Sequence, residues 1–363
     1  MNLLIIYAII FLIIFVILGI KLGFKKASYL KSMGIVFIII VIGITTGIFP
    51  TKVGECGDDA IYIHNIYKTT KIYGKGIIGG VPRNTKNIII ASGSEEIGYG
   101  AFWDCKNLEY IEIPETIEKI GDRAFYNCSS ISKIQLPSNL KFIGESAFWG
   151  CENLESIEIP ETVEQICIDA FRGTNISKIY LPDNTLINQE RFSNGKYYDS
   201  YANKTFHYCR NLREVNVSEK NNNYIEVDGV IFNKNKTEIV CYPQQREGDI
   251  YIIPDSVKSL NSFSIAFANN IKEITIGKNV ETMHSNAIFE CENLEKIKIE
   301  DGVKEIRGDA ISECYKLSDI YIPNSVTAIS GRIKSSATIH CSEDSYAHDY
   351  AKTLGYNYVI NED

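Results

Sequence analysis

The chain has 363 residues, and 45% hydrophobic side chains are enough for a continuous core. Its formal net charge is −8. Residues 1–50 hold four lysines and no acid, so the rest of the chain carries 45 acids against 33 bases, a net −12. So acidic a portion lacks the basic face that nucleic acid requires and does not suit an anionic membrane surface.

Residues 3–20, LLIIYAIIFLIIFVILGI, are apolar without a break, close to the roughly 20 residues that cross a bilayer core. KLGFKKASYLKS follows, and 33–49 is apolar again before Pro50. The pattern predicts two transmembrane helices over 1–50. Lys21, Lys25, Lys26 and Lys31 then stay cytoplasmic, and everything after Pro50 is extracellular. A late-starting signal peptide with 34–46 as its apolar region is the competing reading, but an apolar segment ahead of it is hard to reconcile with cleavage. Cys56 follows Glu55, which breaks a lipid-attachment pattern.

Residues 51–87 read as a linker and N-terminal cap. Gly74-Lys-Gly76-Ile-Ile-Gly79 has the letter spacing of a dinucleotide fingerprint. Gly80, Val81 and Pro82 follow where a helix is needed, so a glycine-rich turn or linker fits better.

From 97 to 160 one pattern is written three times. The pairs Ala101-Phe102, Ala124-Phe125, Ala147-Phe148 and Ala170-Phe171 stand 23 residues apart. A fixed period of this size is the mark of a solenoid, whose units bury their apolar sides only by stacking. In the second copy the apolar slots are Ile117, Ile120, Ala124, Phe125, Cys128, Ile131, Ile134 and Leu136. Pro137 ends the short alternating strand because it has no N–H for a ladder. Gly121 marks a tight turn.

These recurring Ala-Phe, Cys and Pro slots resemble the BspA-type leucine-rich repeat, and the resemblance covers roughly three quarters of the chain, from Ile88 onward. It implies a curved solenoid with a parallel sheet on one face, in a family made largely of cell-surface proteins, some of them adhesins. The expected class is α/β, a strand-rich leucine-rich-repeat solenoid over 88–335 behind the two membrane helices.

The array has two departures. The fourth copy loses the Cys slot at Arg172-Gly173-Thr174, and Cys167 replaces its glycine. A polar insert over 183–204 should loop from one face, and the repeat resumes at Thr205-Phe206. A second insert spans 219–250. There Asp228-Gly229 supplies the positive φ angles of a type I′ hairpin turn between 224–227 and 230–232. The solenoid continues from 252, with Ala slots read at Ala266, Ala287 and Ala310. Residues 336–363 form a C-terminal cap: a strand over 336–341, a helical pattern over 345–354 stopped by Gly355, and a last strand.

Six of the ten cysteines, Cys105, Cys128, Cys151, Cys209, Cys291 and Cys314, share one inward slot and read as free core thiols. Stacking leaves disulfides geometrically open, since neighbouring coils lie about 5 Å apart. No C-x-x-C is present, and His340-Cys341 is an isolated pair, so no metal or cofactor is expected. His64, His207, His284, His340 and His348 fall in unrelated slots, and no nucleophile–base arrangement is legible. An enzyme would have to place its chemistry on the insert, on Tyr197, Tyr198 and Asp199, which offers no concave setting.

The residue between the two core aliphatics of each strand should face outward, Glu112, Gln135, Glu158, Tyr180, Asn216, Thr275, Lys298 and Tyr321, as should the residue two positions earlier, such as Tyr110. They tile an extended surface of the kind solenoids present to macromolecules, with tyrosines that suit interfaces. The expected function is that of a membrane-anchored, non-enzymatic, extracellular binding or adhesion protein that recognises a protein or glycan through this face, with no small-molecule substrate. The alternative is a structural component of the cell envelope with no soluble ligand.

Overall fold

The computed structural model describes residues 50–57, 60–65, 69–73, 76–77, 81–189, 204–333 and 336–361. The apolar segments 3–20 and 33–49 lie outside the described residues, as do Tyr197, Tyr198 and Asp199. No helix among the described residues is long and apolar enough to cross a membrane.

The repeats wind into a parallel β-solenoid of about 11 turns. Equivalent slots stack in register: Ile97, Ile120, Ile143 and Ile166 pair in one ladder, and Ile274, Ile297, Ile320 and Ile339 in another. Register holds because shifting a short strand by one residue would turn its buried isoleucine to solvent. Phe102, Phe125, Phe148, Phe171 and Phe206 form a buried stack with ring centroids 5.1–5.9 Å apart. Each such ring contributes on the order of 2 kcal/mol by leaving water.

Local chemistry bends each coil. The proline that ends a strand also closes the next turn, its carbonyl accepting from Ile117, Leu140 and Val163 in successive coils. Left-handed residues bracket the Ala-Phe pair: Arg123 and Asn127, Ser146 and Gly150, Asp169 and Gly173. Two such reversals within five residues turn the chain from one flat side to the next.

Parallel pairing is not confined to one face. The ladder through Glu96–Ile97, Lys119–Ile120, Phe142–Ile143 and Gln165–Cys167 is distinct from that through Glu273–Ile276, Lys296–Ile299 and Asp319–Tyr321, and a third joins Ile265–Ala266, Ile288–Phe289 and Ile311–Ser312. A 23-residue coil has three sides, and each brings extended backbone beside its copy. The α/β expectation also gives way: among the described residues one helix occurs, Tyr346–Leu354.

Two sequence-based placements change. Ile265 pairs with Ile288, so the Ala slot of that coil is Ser264 and not Ala266, which restores the 23-residue spacing to Ala287. The insert after Pro182 is not wholly a loop, because Leu186–Gln189 pairs in parallel with Gln165–Cys167.

At the N-terminal end, Pro50–Gly57, Ala60–Asn65 and Thr69–Tyr73 form an antiparallel meander. Its last strand runs parallel to Asn87–Ile90. Gly76–Ile77, inside the glycine-rich string, pairs with Glu96–Ile97. The second insert is the three-stranded antiparallel unit Tyr224–Val227, Val230–Asn233 and Ile239–Cys241. Asp228 and Gly229 have φ 51° and 76°, the turn their sequence predicts. This unit splices the array: Tyr224, Ile231 and Cys241 belong to the core of the first coils, and Val230, Phe232, Ile239 and Tyr242 to that of the later ones. At the far end the helix starts at Ser345, whose hydroxyl accepts from His348 N–H, and stops at Gly355 with φ 74°. Its buried Ala347, Tyr350 and Ala351 cover the last coil.

Candidate binding surface

The predicted outward positions lie on strands that pair in separate runs, Lys178–Leu181 with Glu214–Val217 and Ile250–Ile252 with Glu273–Ile276, Lys296–Ile299 and Asp319–Tyr321 beyond it. Tyr110, Glu112, Gln135, Glu158, Tyr180, Asn216 and Lys298 are exposed, and Thr275 and Tyr321 are half-buried. Tyr180 stands opposite Asn216, and Thr275, Lys298 and Tyr321 are consecutive partners.

Much of the face is satisfied by its own neighbours. Lys178 pairs with Glu214 at 2.9 Å and Lys296 with Glu273 at 3.5 Å. Tyr321 stacks on His340 with centroids 4.1 Å apart, and His340 Nε2 lies 2.7 Å from Asp319 Oδ1. Hydrogen bonds from Ser318 and His340 hold the Asp319 carboxyl below its usual range. Exposed pairs of this kind add little stability, about 0–1 kcal/mol each; they fix side-chain directions across the face.

Sequence reasoning missed the middle of the face. Strand Ile250–Ile252 buries Tyr251 and turns Ile250 and Ile252 outward, 56% and 65% exposed. Their partners on the next coil are Glu273 and Thr275. Here both phases of a strand are apolar. The signal was legible in Ile-Tyr-Ile-Ile, where a one-sided strand needs a polar residue at alternate places.

A second row runs along the turns, at the residue after each stacked phenylalanine. Trp103 and Tyr126 are 5.1 Å apart, Tyr126 and Trp149 5.5 Å, and Arg172 lies over Trp149 at 4.2 Å and over Tyr208 at 4.9 Å. Among the described residues, no group of three or more His, Cys, Asp or Glu could hold a metal ion.

The inward cysteines are buried free thiols. Burial pushes Cys151 and Cys209 up to about 12, which removes the thiolate that nucleophilic chemistry requires. Thr174 fills the cysteine slot of its coil and donates to Phe171 O at 2.8 Å.

The family model described as BspA type Leucine rich repeat region matches residues 82–199 and 241–341, in six copies. The chain belongs to the BspA-type leucine-rich repeat family. A search of curated proteins finds no match. Among solved structures, this BspA-type chain is similar to a leucine-rich repeat protein from Eubacterium ventriosum, at 20% identity and TM-score 0.61, over 80% of this chain and 87% of that one. It is also similar to the pneumococcal vaccine antigen PcpA, at 19% identity and TM-score 0.62, over 86% and 99%. A leucine-rich cell surface protein from Faecalibacterium prausnitzii matches at 19% identity and TM-score 0.53, over 85% and 94%. At these identities the likeness is one of fold.

Proposed function

We propose that this chain is a membrane-anchored, non-enzymatic surface protein whose solenoid binds a protein partner outside the cell through the sheet face centred on Ile250 and Ile252. The observation that carries the reading is that exposed pair. Two branched aliphatics, side by side on one strand and flanked by Glu273 and Thr275 of the next coil, have the apolar centre and polar edge of a protein interface. The apolar segments 3–20 and 33–49 and the lysines between them support anchoring with the array outside. Two of the similar structures bear surface or vaccine-antigen descriptions, which supports display at the cell surface.

Two measurements test it. Protease added to intact cells should remove an epitope around Tyr350, and survival of that epitope until lysis would refute external display. The full chain should bind partners on an array of extracellular proteins, and the double variant Ile250→Asp, Ile252→Asp should bind them at least about tenfold more weakly, with an unchanged melting temperature. Equal binding by the variant moves the site off this face. Recovery of one stoichiometric membrane partner in place of a soluble one would favour an envelope scaffold.

A further inference from the structure

On the turn side, where the first run of coils meets the second, lies an open cleft of about 410 Å³, within the roughly 300–1,000 Å³ that small-ligand sites span. Four rings close a circuit around it. His207 meets Phe263 at 4.6 Å and Phe267 at 5.4 Å, and Phe289 meets the same two at 5.4 and 5.5 Å, with interplanar angles between 80° and 85°. Tyr208 adds a fifth ring, 4.3 Å from Phe267. Ile168, Asp169, Arg172 and Lys204 complete the lining.

Two polar atoms in this wall are buried without a hydrogen-bond partner. His207, only 7% exposed, leaves Nε2 unpaired, and Asp169 leaves Oδ1 unpaired. Arg172 Nη1 sits 3.6 Å from that oxygen, close enough for an ion pair and too far for a hydrogen bond. Buried polar atoms ordinarily have partners, and exceptions call for a reason.

The left-handed positions of the coils that meet here hold aromatic side chains. Tyr208, Phe263 and Phe267 hold φ of 56°, 63° and 58°, a region unfavourable to bulky side chains. The equivalent places elsewhere hold Asp104, Asn127, Gly150, Gly173, Glu290 and Glu313, or Arg123, Ser146, Asp169, Asn286 and Asp309. Among the described residues, aromatic side chains hold positive φ only around the cleft, and strain of this kind collects at ligand sites.

The charges select the guest. Burial, Arg172 and Lys204 together lower His207 to about 4, so the ring is neutral at physiological pH and can exchange one hydrogen bond with a hydroxyl. The two cations outweigh Asp169, which disfavours a cationic guest and favours a carboxylate. The aromatic walls call for a broad C–H surface as well.

We propose that the cleft binds one carboxylate-bearing sugar unit of a glycan, with the C–H face of its ring against Phe263 and Phe267, its carboxylate on Arg172 and Lys204, and a hydroxyl on His207 Nε2. This site is separate from the sheet face, and neither depends on the other.

Calorimetric titration of the full chain with glucuronate and with N-acetylneuraminate tests it, with their methyl esters as uncharged controls. Emission of Trp149, isolated by Trp103→Phe, gives a second readout because Trp149 stacks on Arg172. Saturable binding of at least one acid is expected, weaker by at least about tenfold for its ester. His207→Phe keeps the ring and removes Nε2, and Phe263→Asn suits the left-handed backbone. Each should weaken binding by about tenfold, and Phe263→Asn should not lower the melting temperature. The proposal is overturned if neither acid binds, if acid and ester bind alike, if both variants bind as the parent does, or if an acidic peptide competes as well as the sugar. Should a variant lose its thermal transition, the acid–ester comparison on the parent chain decides. Loss of protein binding by the Ile250/Ile252 variant, with sugar binding retained, separates this site from the sheet face.

Discussion

Cys151 Sγ donates to the carbonyl oxygen of Phe125, one coil back, at 3.2 Å. Cys128 makes the same bond to Phe102 at 3.1 Å and Cys209 to Phe171 at 3.0 Å. The slot therefore takes cysteine for more than its size, because the thiol ties consecutive coils where the Ala-Phe turn leaves a carbonyl with spare capacity. Cys151→Ala should lose this bond and part of its packing, about 1–2 kcal/mol, read as a shift in the urea midpoint.

The same thiols set an alkaline limit. Folding raises Cys151 and Cys209 from 9.0 to about 12, so between those values the native state keeps protons that the unfolded chain has released. Stability should fall as pH rises from about 9 toward 12, with no contribution from these groups below about 8. Melting temperatures across pH 7–11 check this, and Cys151→Ala should flatten the alkaline slope.

Gly144 is required by the approach of its neighbours. A Cβ there would lie 2.5 Å from Asp122 N and 2.6 Å from Gly121 C, and backbone cannot swing aside. Gly144→Ala should cost about 3 kcal/mol or more by overpacking. A denaturation curve like that of the parent would show that the coils can separate at this slot.

Asn221 anchors the antiparallel unit to the solenoid. Its fully buried side chain donates to Pro182 O at 2.6 Å and accepts from the N–H groups of Asn223 and Tyr224 at 2.8 and 2.9 Å. Asn221→Ala would leave two buried groups and one half-buried N–H without that partner, and about 3 kcal/mol of destabilisation is expected. Because the unit splices two cores, hydrogen exchange should speed up on both sides of it.

Glu290 holds φ 46°, and burial, with help from Glu313 and Glu292 against Arg210, raises its carboxyl above 4.5. The native state thus disfavours its charge. Glu290→Asn, suited to the left-handed backbone, should raise stability by about 1 kcal/mol at pH 7. The gain should shrink as pH falls through the carboxylate range, where native Glu290 takes up a proton ahead of the unfolded chain. Paired melts at pH 7 and pH 4 decide it.

The coil itself was legible because its slots repeat. Ala-Phe, the Cys slot and the closing Pro recur at 23 residues, and stacking places like on like. Register was misread where Ser264 hides the Ala slot, while Ala266-Phe267 spells the familiar pair two residues late. Only pairing with Ile288 exposes the shift. The outward faces of Glu112, Tyr180 and Lys298 followed from alternation. Ile250 and Ile252 did not, since an apolar residue in a strand is read as buried until a neighbour shows otherwise.

By itself, then, the sequence determined the period, the inward slots, the Asp-Gly hairpin and the capped final helix, because each depends on residues close together in the chain or on identical slots stacking. The tertiary structure alone decided the three ladders, the splicing of two cores through the unit at 224–241, and the meeting of Asp169, His207 and Phe263 at one cleft. Those residues are separated by up to 94 positions, and no local pattern encodes which coils an insertion brings face to face.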